Sequence, residues 1–279
     1  MKKIIYIAIA CFILSAKSYG QQFNIATYNL RYDNQEDSVK GNGWRLRYPV
    51  IAKIVKFNDL DIFGTQEGLF HMLNNLADSL PGYKWIGIGR DDGKEAGEHS
   101  AIFYKTSRFK ILKQGNFWLS TITDRPNKGW DAVLPRICTW AQFEEIKTGF
   151  KFYFFNLHMD HIGVVARKQS ATLVLKKIKE MAGNSATIFT GDFNVDQYNE
   201  SYKEVLSTGV LQDCYHLAPV KLATNGSFNA FDINTKTDSR IDHIFVTKDF
   251  NVKRYAILTN SFNGRLPSDH YPVVAIMEH

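Results

Sequence analysis

The feature that most constrains the fold of this chain is a set of short polar motifs, each of which adjoins one end of a short apolar run. Five segments show it: residues 27–30 (TYNL), 65–67 (TQE), 156–158 (NLH), 191–194 (GDFN) and 268–270 (SDH). A side chain at the end of a buried strand is held rigidly, yet it faces the open edge of the sheet where a ligand can approach. The pattern therefore predicts one polar cleft on the strand ends of a β-scaffold.

The first twenty residues have the composition of a secretory signal peptide. Two lysines precede an apolar stretch from residue 4 to residue 16, and small residues follow up to Gly20. An apolar stretch of this length is too short for a comfortable membrane span. We expect residues 1–20 to be removed and residues 21–279 to be exported, either to the periplasm or as a secreted protein. The alternative is an N-terminal anchor that stays attached.

The net charge and the cysteine content only weakly limit the binding partners of the protein and the cellular compartment in which it folds. The formal net charge is +6, and it falls to +3 without residues 1–20, which carry three lysines and no acid. This mild basic bias is compatible with an anionic substrate but is far from a polybasic binding surface. An exported protein permits a disulfide between Cys138 and Cys214, and two buried free thiols are equally compatible with the sequence.

Hydrophobic periodicity predicts a single domain of strands and helices over residues 21–279, because no repeat or Pro/Ser-rich linker divides this stretch. Apolar runs predict strands at residues 23–29, 61–65, 84–88, 101–104, 137–143, 151–156, 187–190, 241–247 and 272–277. Amphipathic spacing predicts helices at residues 46–58, 69–80 and 164–181. Strands outnumber helices, which favours sheets covered by helices.

Residues 115–135 show no sustained period and predict a long surface loop. The segment mixes Phe117, Trp118 and Trp130 with several charged residues. Loops of this length are often functional.

Glu67 is a candidate metal ligand. It follows a buried strand, where an unpaired carboxylate is unfavourable, and a hard divalent cation such as Mg²⁺ would offset that penalty. Asn29 can contribute a neutral amide oxygen beside it. The alternative is that Glu67 only caps the helix predicted to begin near residue 69.

Asp192 and Asn194 are candidates for a reacting centre. Residues at i and i+2 of an extended or tightly turned segment point the same way, so both side chains can reach one ligand. An aspartate there can orient or deprotonate a water, and an asparagine can stabilise a phosphoryl oxygen. The alternative is an ordinary polar turn, since Gly, Asp and Asn are common in turns.

His158 and His270 lie at the edges of apolar runs more than a hundred positions apart. A single histidine is more often structural than catalytic, but here Asp269 adjoins His270, and Asp242 lies in another apolar run. A carboxylate bonded to a histidine holds its tautomer and favours its protonated form. A protonated imidazole suits a phosphate whose negative charge concentrates in the transition state.

In this order along the chain, the motifs resemble the endonuclease/exonuclease/phosphatase superfamily. The matching segments are YN at 28–29, QE at 66–67, NLH at 156–158, GDFN at 191–194, RID at 240–242 and SDH at 268–270. The resemblance implies an α+β fold, a four-layer α/β/β/α sandwich of two face-to-face mixed sheets with helices outside. It also implies in-line hydrolysis of a phosphoester by water, with at least one Mg²⁺ or Mn²⁺ as Lewis acid.

The resemblance implies which residues would bind the metal and which would activate the attacking water. Glu67 and Asn29 would hold the metal, with Asp269 near it. Asp192 would activate the attacking water with help from Asn194.

The resemblance also assigns contacts with the substrate. His270, oriented by Asp242, would contact the scissile phosphate, and His158 would stabilise charge or protonate the leaving oxygen. Segments 89–93 and 134–136 are similar to an exported bacterial branch of the superfamily, and a guanidinium can grip phosphate oxygens in a fork, unless it only forms a surface ion pair. The further candidates for phosphate binding are Arg90, Arg136, Asn156 and Tyr104.

Departures from the family pattern narrow the substrate. The signature Trp-Cys-Asp-Arg of inositol polyphosphate 5-phosphatases is missing before the late strand, which disfavours that activity. We expect a phosphodiester hydrolase acting on nucleic acid or nucleotides. The alternatives are a phospholipid phosphodiesterase of sphingomyelinase type and a phosphomonoesterase acting on a small phosphorylated metabolite. A non-catalytic binding module is disfavoured, since binding alone does not need every one of these groups.

The loop at residues 115–135 bears on this choice. A phospholipid hydrolase would need an exposed apolar loop, and these aromatics are the candidate. Stacking of the same aromatics on nucleic-acid bases fits about as well. We expect a monomer without a stable membrane span.

Overall fold

A computed structural model of the protein describes residues 21–279. The signal peptide predicted for residues 1–20 lies outside these described residues and stays a prediction. Within the described part of the chain, no helix is both long enough and apolar enough to cross a bilayer.

Strands are the main secondary structure of the described residues. The strands are β1 (Gln22–Asn29), β2 (Ile62–Gln66), β3 (Tyr83–Ile86), β4 (Ile102–Lys105), β5 (Phe109–Trp118), β6 (Ile137–Glu145), β7 (Lys151–His158), β8 (Thr187–Asp192), β9 (Gln212–Asp213), β10 (Val220–Leu222), β11 (Asp242–Val246), β12 (Asn251–Ile257) and β13 (Val273–Glu278). The helices are α1 (Gln35–Val39), α2 (Trp44–Phe57), α3 (Phe70–Asp78), α4 (Val164–Ala182), α5 (Glu200–Leu206) and α6 (Cys214–Leu217).

The strands form two mixed sheets. The seven-stranded sheet has the order β10-β12-β13-β1-β2-β4-β3, and the six-stranded sheet has the order β5-β6-β7-β8-β11-β9. Most neighbouring strands are antiparallel, but three pairs are parallel: β1 with β2, β7 with β8, and β10 with β12. The first two of these pairs lie near the middle of their sheets, and β10 lies at an edge.

The layering follows from the alternation of apolar side chains along the central strands. In β1, Ile25 packs between the two sheets, whereas Ala26 packs with residues of α2 and α3. In β7, Phe154 packs between the sheets and Phe155 packs with residues of α4. Successive side chains of a strand point to opposite faces, so each sheet buries one face against the other sheet and one face under helices. The predicted four-layer α/β/β/α sandwich is confirmed.

A buried polar side chain, Asn156 of β7, joins the two sheets beneath the strand ends. Its Oδ1 accepts hydrogen bonds from Gln66 Nε2 at 2.7 Å and from Thr190 Oγ1 at 3.0 Å. Its amide nitrogen donates to the backbone carbonyls of Thr65 and Ala101, each at 2.9 Å. These four hydrogen bonds use the side chain fully and fix β2 of one sheet against β7 of the other.

Gly64 allows this close approach of the sheets. A Cβ at residue 64 would overlap Asn156 Oδ1 and Thr190 Oγ1. Both atoms belong to the hydrogen-bonded link, so a larger residue at this position would push the two sheets apart.

Helices and strands with a strong hydrophobic periodicity are found where the sequence predicts them. Elements with a weak or interrupted periodicity were not predicted. The three predicted helices correspond to α2, α3 and α4. The sequence analysis missed β5 and β12, because each contains a register shift, between Ile111 and Lys113 in β5 and between Val252 and Arg254 in β12. Such a bulge interrupts the alternation on which strand prediction depends. The short elements α1, α5, α6, β9 and β10 also carried no clear period.

The loop predicted for residues 115–135 is shorter than expected. Phe117 and Trp118 are the last residues of β5 and are only 3% and 4% exposed. Of the three aromatics in this segment, Trp130 alone stays partly exposed, at 37%. Two of the three aromatics expected to form an apolar wedge for a phospholipid hydrolase of sphingomyelinase type are therefore buried.

Cys138 and Cys214 are buried free thiols. Cys214 packs in the core between the sheets, and Cys138 packs in the core under α4. The disulfide that an exported protein would permit is not formed between them.

We predict that Asn156→Ala destabilises the protein by about 2–4 kcal/mol, because it leaves several buried donors and acceptors unpaired. Thermal or urea unfolding of the variant measures this loss. The control is Asn184→Ala, since Asn184 is exposed. Wild-type stability of Asn156→Ala would show that this link does not hold the sheets together.

Candidate active site

The strand topology brings polar strand ends to one edge of the sandwich. In the seven-stranded sheet, Asn29 at the end of β1 pairs with Gln66 at the end of β2. In the six-stranded sheet, His158 at the end of β7 pairs with Asp192 at the end of β8. Asp192 also pairs with Asp242, since β11 begins where β8 ends. One polar cleft forms at this edge, as the sequence predicts.

The cleft holds a cavity of about 440 Å³. The predicted site residues in its lining are Glu67, Arg136, His158, Asp192, Asn194, Asp269 and His270. The other predicted residues, Asn29, Arg90, Tyr104, Asn156 and Asp242, lie outside this lining.

Asp192 lies at the centre of the polar contacts. Its carboxylate accepts hydrogen bonds from Asn29 Nδ2 and from the backbone N–H of Asn194, both at 2.9 Å. Its Oδ2 lies 3.5 Å from His158 Nε2 and 3.7 Å from His270 Nε2. Burial, together with the neighbouring charge of Asp242, raises the pKa of Asp192 to about 7. A carboxylate with this pKa can accept a proton near neutral pH.

His270 and Asp242 form a buried imidazole–carboxylate pair. Nδ1 of His270 lies 2.9 Å from Oδ2 of Asp242. Burial alone would lower the pKa of His270, but the carboxylates of Asp242 and Asp192 outweigh it and raise this pKa well above its usual value. The pair therefore favours a protonated His270 whose Nε2 faces Asp192.

Asn194 fixes the tautomer of the His158 imidazole. Its amide nitrogen donates to the backbone carbonyl of Met159 at 3.0 Å, which sets the orientation of the amide group. The same nitrogen lies 3.0 Å from His158 Nε2, so Nε2 is an acceptor and the ring proton is on Nδ1. Burial, with the charges of Arg136 and Arg90, lowers the pKa of His158 well below its usual value. His158 is thus a neutral imidazole.

Asn194 also has an unusual backbone, with a φ of 51°. This left-handed conformation is uncommon for a residue other than glycine, although asparagine adopts it more readily than most. It turns the chain so that both the side chain and the N–H of Asn194 face the strand ends.

Glu67 and Asp269 are carboxylates on the cavity wall that fit a divalent cation. Glu67 has a left-handed φ of 62°, which turns its side chain away from the direction of β2. Its Oε2 accepts a hydrogen bond from the backbone N–H of Tyr32 at 3.0 Å. Burial raises the pKa of Asp269, and the charge of Glu67 adds to the rise. Two acids that repel each other across a shared cavity provide the oxygen ligands that Mg²⁺ prefers.

The amide oxygen of Asn29, which the sequence analysis assigned to the metal, is held by the backbone. Its Oδ1 accepts a hydrogen bond from the backbone N–H of Arg31 at 2.9 Å. Its amide nitrogen donates to Glu67 Oε1 at 3.0 Å and to Asp192 at 2.9 Å. A backbone N–H cannot accept, so the orientation of the amide is fixed. Asn29 bridges carboxylates of the two sheets and orients them.

A second set of possible metal ligands consists of Asp192, Asp242 and His270, whose ligand atoms lie within 4.8 Å of one another. Asp242 and His270 already satisfy each other through their 2.9 Å hydrogen bond. The geometry of this set is therefore that of an imidazole–carboxylate pair beside a carboxylate.

Two of the residues predicted to bind phosphate are placed where they cannot do so. Asn156 is completely buried and its side chain is fully used between the sheets. Tyr104 packs in the core between the sheets, with its ring 5.2 Å from that of Phe143. Both lie on strands, and the alternation of a strand cannot by itself tell a cleft-facing residue from a core residue.

The two predicted arginines have different positions. Arg136 lines the cavity, and its guanidinium lies 3.3 Å from Asp160 and 2.9 Å from His161 Nδ1. Arg90 lies behind the cavity wall, where it binds Glu98 through both terminal nitrogens. Arg136 can therefore contact a ligand in the cavity, whereas Arg90 supports an acid that does.

The cavity also has lining residues that the sequence analysis did not assign. They are Arg31, Tyr32, Glu98, Leu134, His161 and Phe228. Some could have been found, since Arg31 and Tyr32 directly follow a predicted strand end. Phe228 lies in a long irregular segment before β11 and carried no periodic signal.

Comparisons with known proteins agree with this geometry. The sequence model of the Endonuclease/Exonuclease/phosphatase family matches residues 26–270 of this chain. A family protein from Bacteroides thetaiotaomicron has 53% sequence identity and a TM-score of 0.91, over 93% of this chain and 95% of that one. A mannosyl-6-phosphatase from the same organism has 54% identity and a TM-score of 0.90, over 92% of this chain and 100% of that one.

A more distant structure shows how widely the fold is shared. D. rerio TDP2, complexed with a single-strand DNA product, has a TM-score of 0.70 at 19% identity, over 92% of this chain and 99% of that one. Enzymes of the matched family are phosphoester hydrolases that typically depend on a divalent metal, and this chain has acids suited to one. The chain belongs to the endonuclease/exonuclease/phosphatase family and is a phosphoester hydrolase.

Proposed function

We propose that the protein is a divalent-metal-dependent phosphomonoesterase whose substrate is a small sugar phosphate. The observation that carries the proposal is one cavity of about 440 Å³ lined by Asp192, His270, Arg31 and Arg136. This volume suits a small phosphorylated molecule. The 54% identity to a mannosyl-6-phosphatase supports a hexose phosphate as the substrate.

The charges around the cavity suit a terminal phosphate, which carries close to two negative charges at neutral pH. Arg31 and Arg136 line the cavity, and a guanidinium can bind two phosphate oxygens at once. The protonated His270 adds a third positive group beside Asp192. A phosphodiester, with a single negative charge, would use fewer of these groups.

Glu67 and Asp269 would hold the divalent cation, and their oxygen ligands fit Mg²⁺ or Mn²⁺. When bound, the cation would act as a Lewis acid on a phosphoryl oxygen. Asn29 keeps Glu67 close to Asp192 by donating to both carboxylates.

The side chains on the other side of the cavity move and hold protons. Asp192 accepts a proton from the attacking water, and the backbone N–H of Asn194 holds this carboxylate in place. His270 donates from Nε2 to a phosphoryl oxygen while Asp242 holds its Nδ1. His158 has no proton on Nε2, so we assign it to orienting Asn194 and not to protonating the leaving oxygen.

Nucleic acid or a nucleotide is the second candidate substrate. Tyr32 and Phe228 line the cavity, and Phe228 is 40% exposed. Aromatic rings at the mouth of a cavity provide surfaces on which bases can stack.

The first prediction concerns the substrate. With Mg²⁺, the purified protein should hydrolyse mannose 6-phosphate with a kcat/KM about 100-fold above that for bis(p-nitrophenyl) phosphate, a discrimination typical of a fitted polar pocket. Release of inorganic phosphate measures the first reaction and absorbance the second. EDTA should abolish both activities, and added Mg²⁺ should restore them.

Two results would contradict the proposal. Turnover that persists in EDTA would rule out the metal dependence. Preferred cleavage of single-stranded DNA, RNA or a mononucleotide over sugar phosphates would favour the second candidate.

The second prediction concerns the proton-handling residues. Asp192→Ala should lower kcat by roughly 10²- to 10⁴-fold, because it removes the base that accepts the proton of water. His270→Ala should lower kcat by about 10²- to 10³-fold, because it removes a donor to the developing charge. Both variants should keep the wild-type circular dichroism spectrum.

The control for this series is His216→Ala, since His216 is exposed and does not line the cavity. Near-normal turnover of Asp192→Ala or His270→Ala would show that the assigned roles are wrong.

A further inference from the structure

Glu98 is an acid of the cavity wall that the proposed mechanism does not use. Its side chain is 16% exposed, and Arg90 holds it in a fork, with Nη1 2.7 Å from Oε2 and Nη2 2.8 Å from Oε1. A carboxylate offers about four acceptor sites, and the fork uses two of them. Glu98 therefore keeps free acceptor capacity on the cavity side.

The loop that carries Glu98 is built to hold it in one position. The backbone N–H of Arg90 donates to the carbonyl of Glu98 at 3.1 Å, and Trp118 Nε1 donates to the carbonyl of Arg90 at 2.8 Å. At Gly89 and Gly97, a Cβ would overlap Ala96 and Asp91 respectively. Glycine at both positions lets the loop fold tightly, so Glu98 is a pre-positioned group.

A second side chain of the same cavity lining has an unpaired donor. Arg136 Nη1 is buried and has no hydrogen-bond partner among residues 21–279, although its Nε and Nη2 are bound to Asp160 and His161. A buried donor without a partner is unfavourable by roughly 1–3 kcal/mol, so a ligand that accepts a hydrogen bond there gains affinity. Arg136 and Glu98 line the same cavity.

A carboxylate with free acceptor capacity and a guanidinium with an unpaired donor, both lining one cavity, match the chemistry of a hydroxyl group, which both donates and accepts. Alkyl chains and aryl rings would leave both groups unpaired. We propose that Glu98 and Arg136 form a hydroxyl-binding subsite that recognises the polyhydroxylated leaving group of the substrate. The inference rests on the proposed phosphomonoesterase function and adds to it the residues that recognise the sugar.

Three substrates test the subsite: mannose 6-phosphate, n-hexyl phosphate and p-nitrophenyl phosphate. Hexyl phosphate has an alcohol leaving group like the sugar but lacks further hydroxyls. Glu98→Ala should lower kcat/KM for mannose 6-phosphate on the order of 10- to 100-fold, chiefly through KM, because it removes hydrogen bonds to a charged group. The kcat/KM for the other two phosphates should change by less than about threefold, since neither substrate uses the subsite.

The matched control is Glu95→Ala, because Glu95 is an exposed acid of the same loop that does not line the cavity. Glu98→Ala alone leaves the buried guanidinium of Arg90 without its carboxylate partner. The double variant Arg90→Met/Glu98→Ala is therefore compared as well. It removes both charges and should show the same selective loss.

The remaining outcomes contradict the subsite. Equal loss on all three substrates would mean that Glu98 supports the reacting centre or the metal. Loss on both alkyl phosphates but not on p-nitrophenyl phosphate would mean that Glu98 acts on the leaving oxygen through His158, whose Nδ1 lies 3.7 Å from Oε2. If the wild-type protein hydrolyses none of the three, the proposed function fails and not the subsite alone.

Discussion

Direct hydrogen bonds between the two sheets at their strand ends hold the site together. Asn156 fixes the end of β2 against β7, and Asn29 of β1 donates to Asp192 of β8. Gly64 provides the space for this contact. Because each sheet supplies only part of the site, the proposed base Asp192 and the proposed metal ligand Glu67 come together only when the sheets pack in this register. The hydrogen bonds that stabilise the sandwich therefore also set the geometry of the site.

The same packing crowds acids around a single cavity. Burial raises the pKa of Glu98, Asp192 and Asp269, and Glu67 lies among them. Buried acids at this density are unfavourable without positive charge nearby. Arginines and His270 supply some of it, and a divalent cation held by Glu67 and Asp269 would supply more. The excess of negative charge thus favours a bound divalent cation, and binding of an anionic substrate depends on that cation, the arginines and His270.

The residues to which we assign proton and metal chemistry could be predicted where they lie at or next to a strand end, because the motif, the strand and the chemistry agree there. Asp192 and Glu67 are of this kind. The positions of Asn156 and Tyr104 could not be predicted, since sequence does not show which strand faces the other sheet. Glu98 was missed because its role depends on Arg90 and on a loop folded by tertiary contacts.

The central claim is that Glu67 and Asp269 of the seven-stranded sheet hold one divalent cation in the cavity that Asp192 of the other sheet also lines. Isothermal titration calorimetry of Mn²⁺ binding tests it directly, on the wild-type protein, Glu67→Gln and the exposed control Glu95→Gln. We predict that wild type and Glu95→Gln bind Mn²⁺ equally and that Glu67→Gln loses at least about tenfold in affinity, or about 1.4 kcal/mol. Equal binding by Glu67→Gln and wild type, or no binding by wild type, would contradict the account.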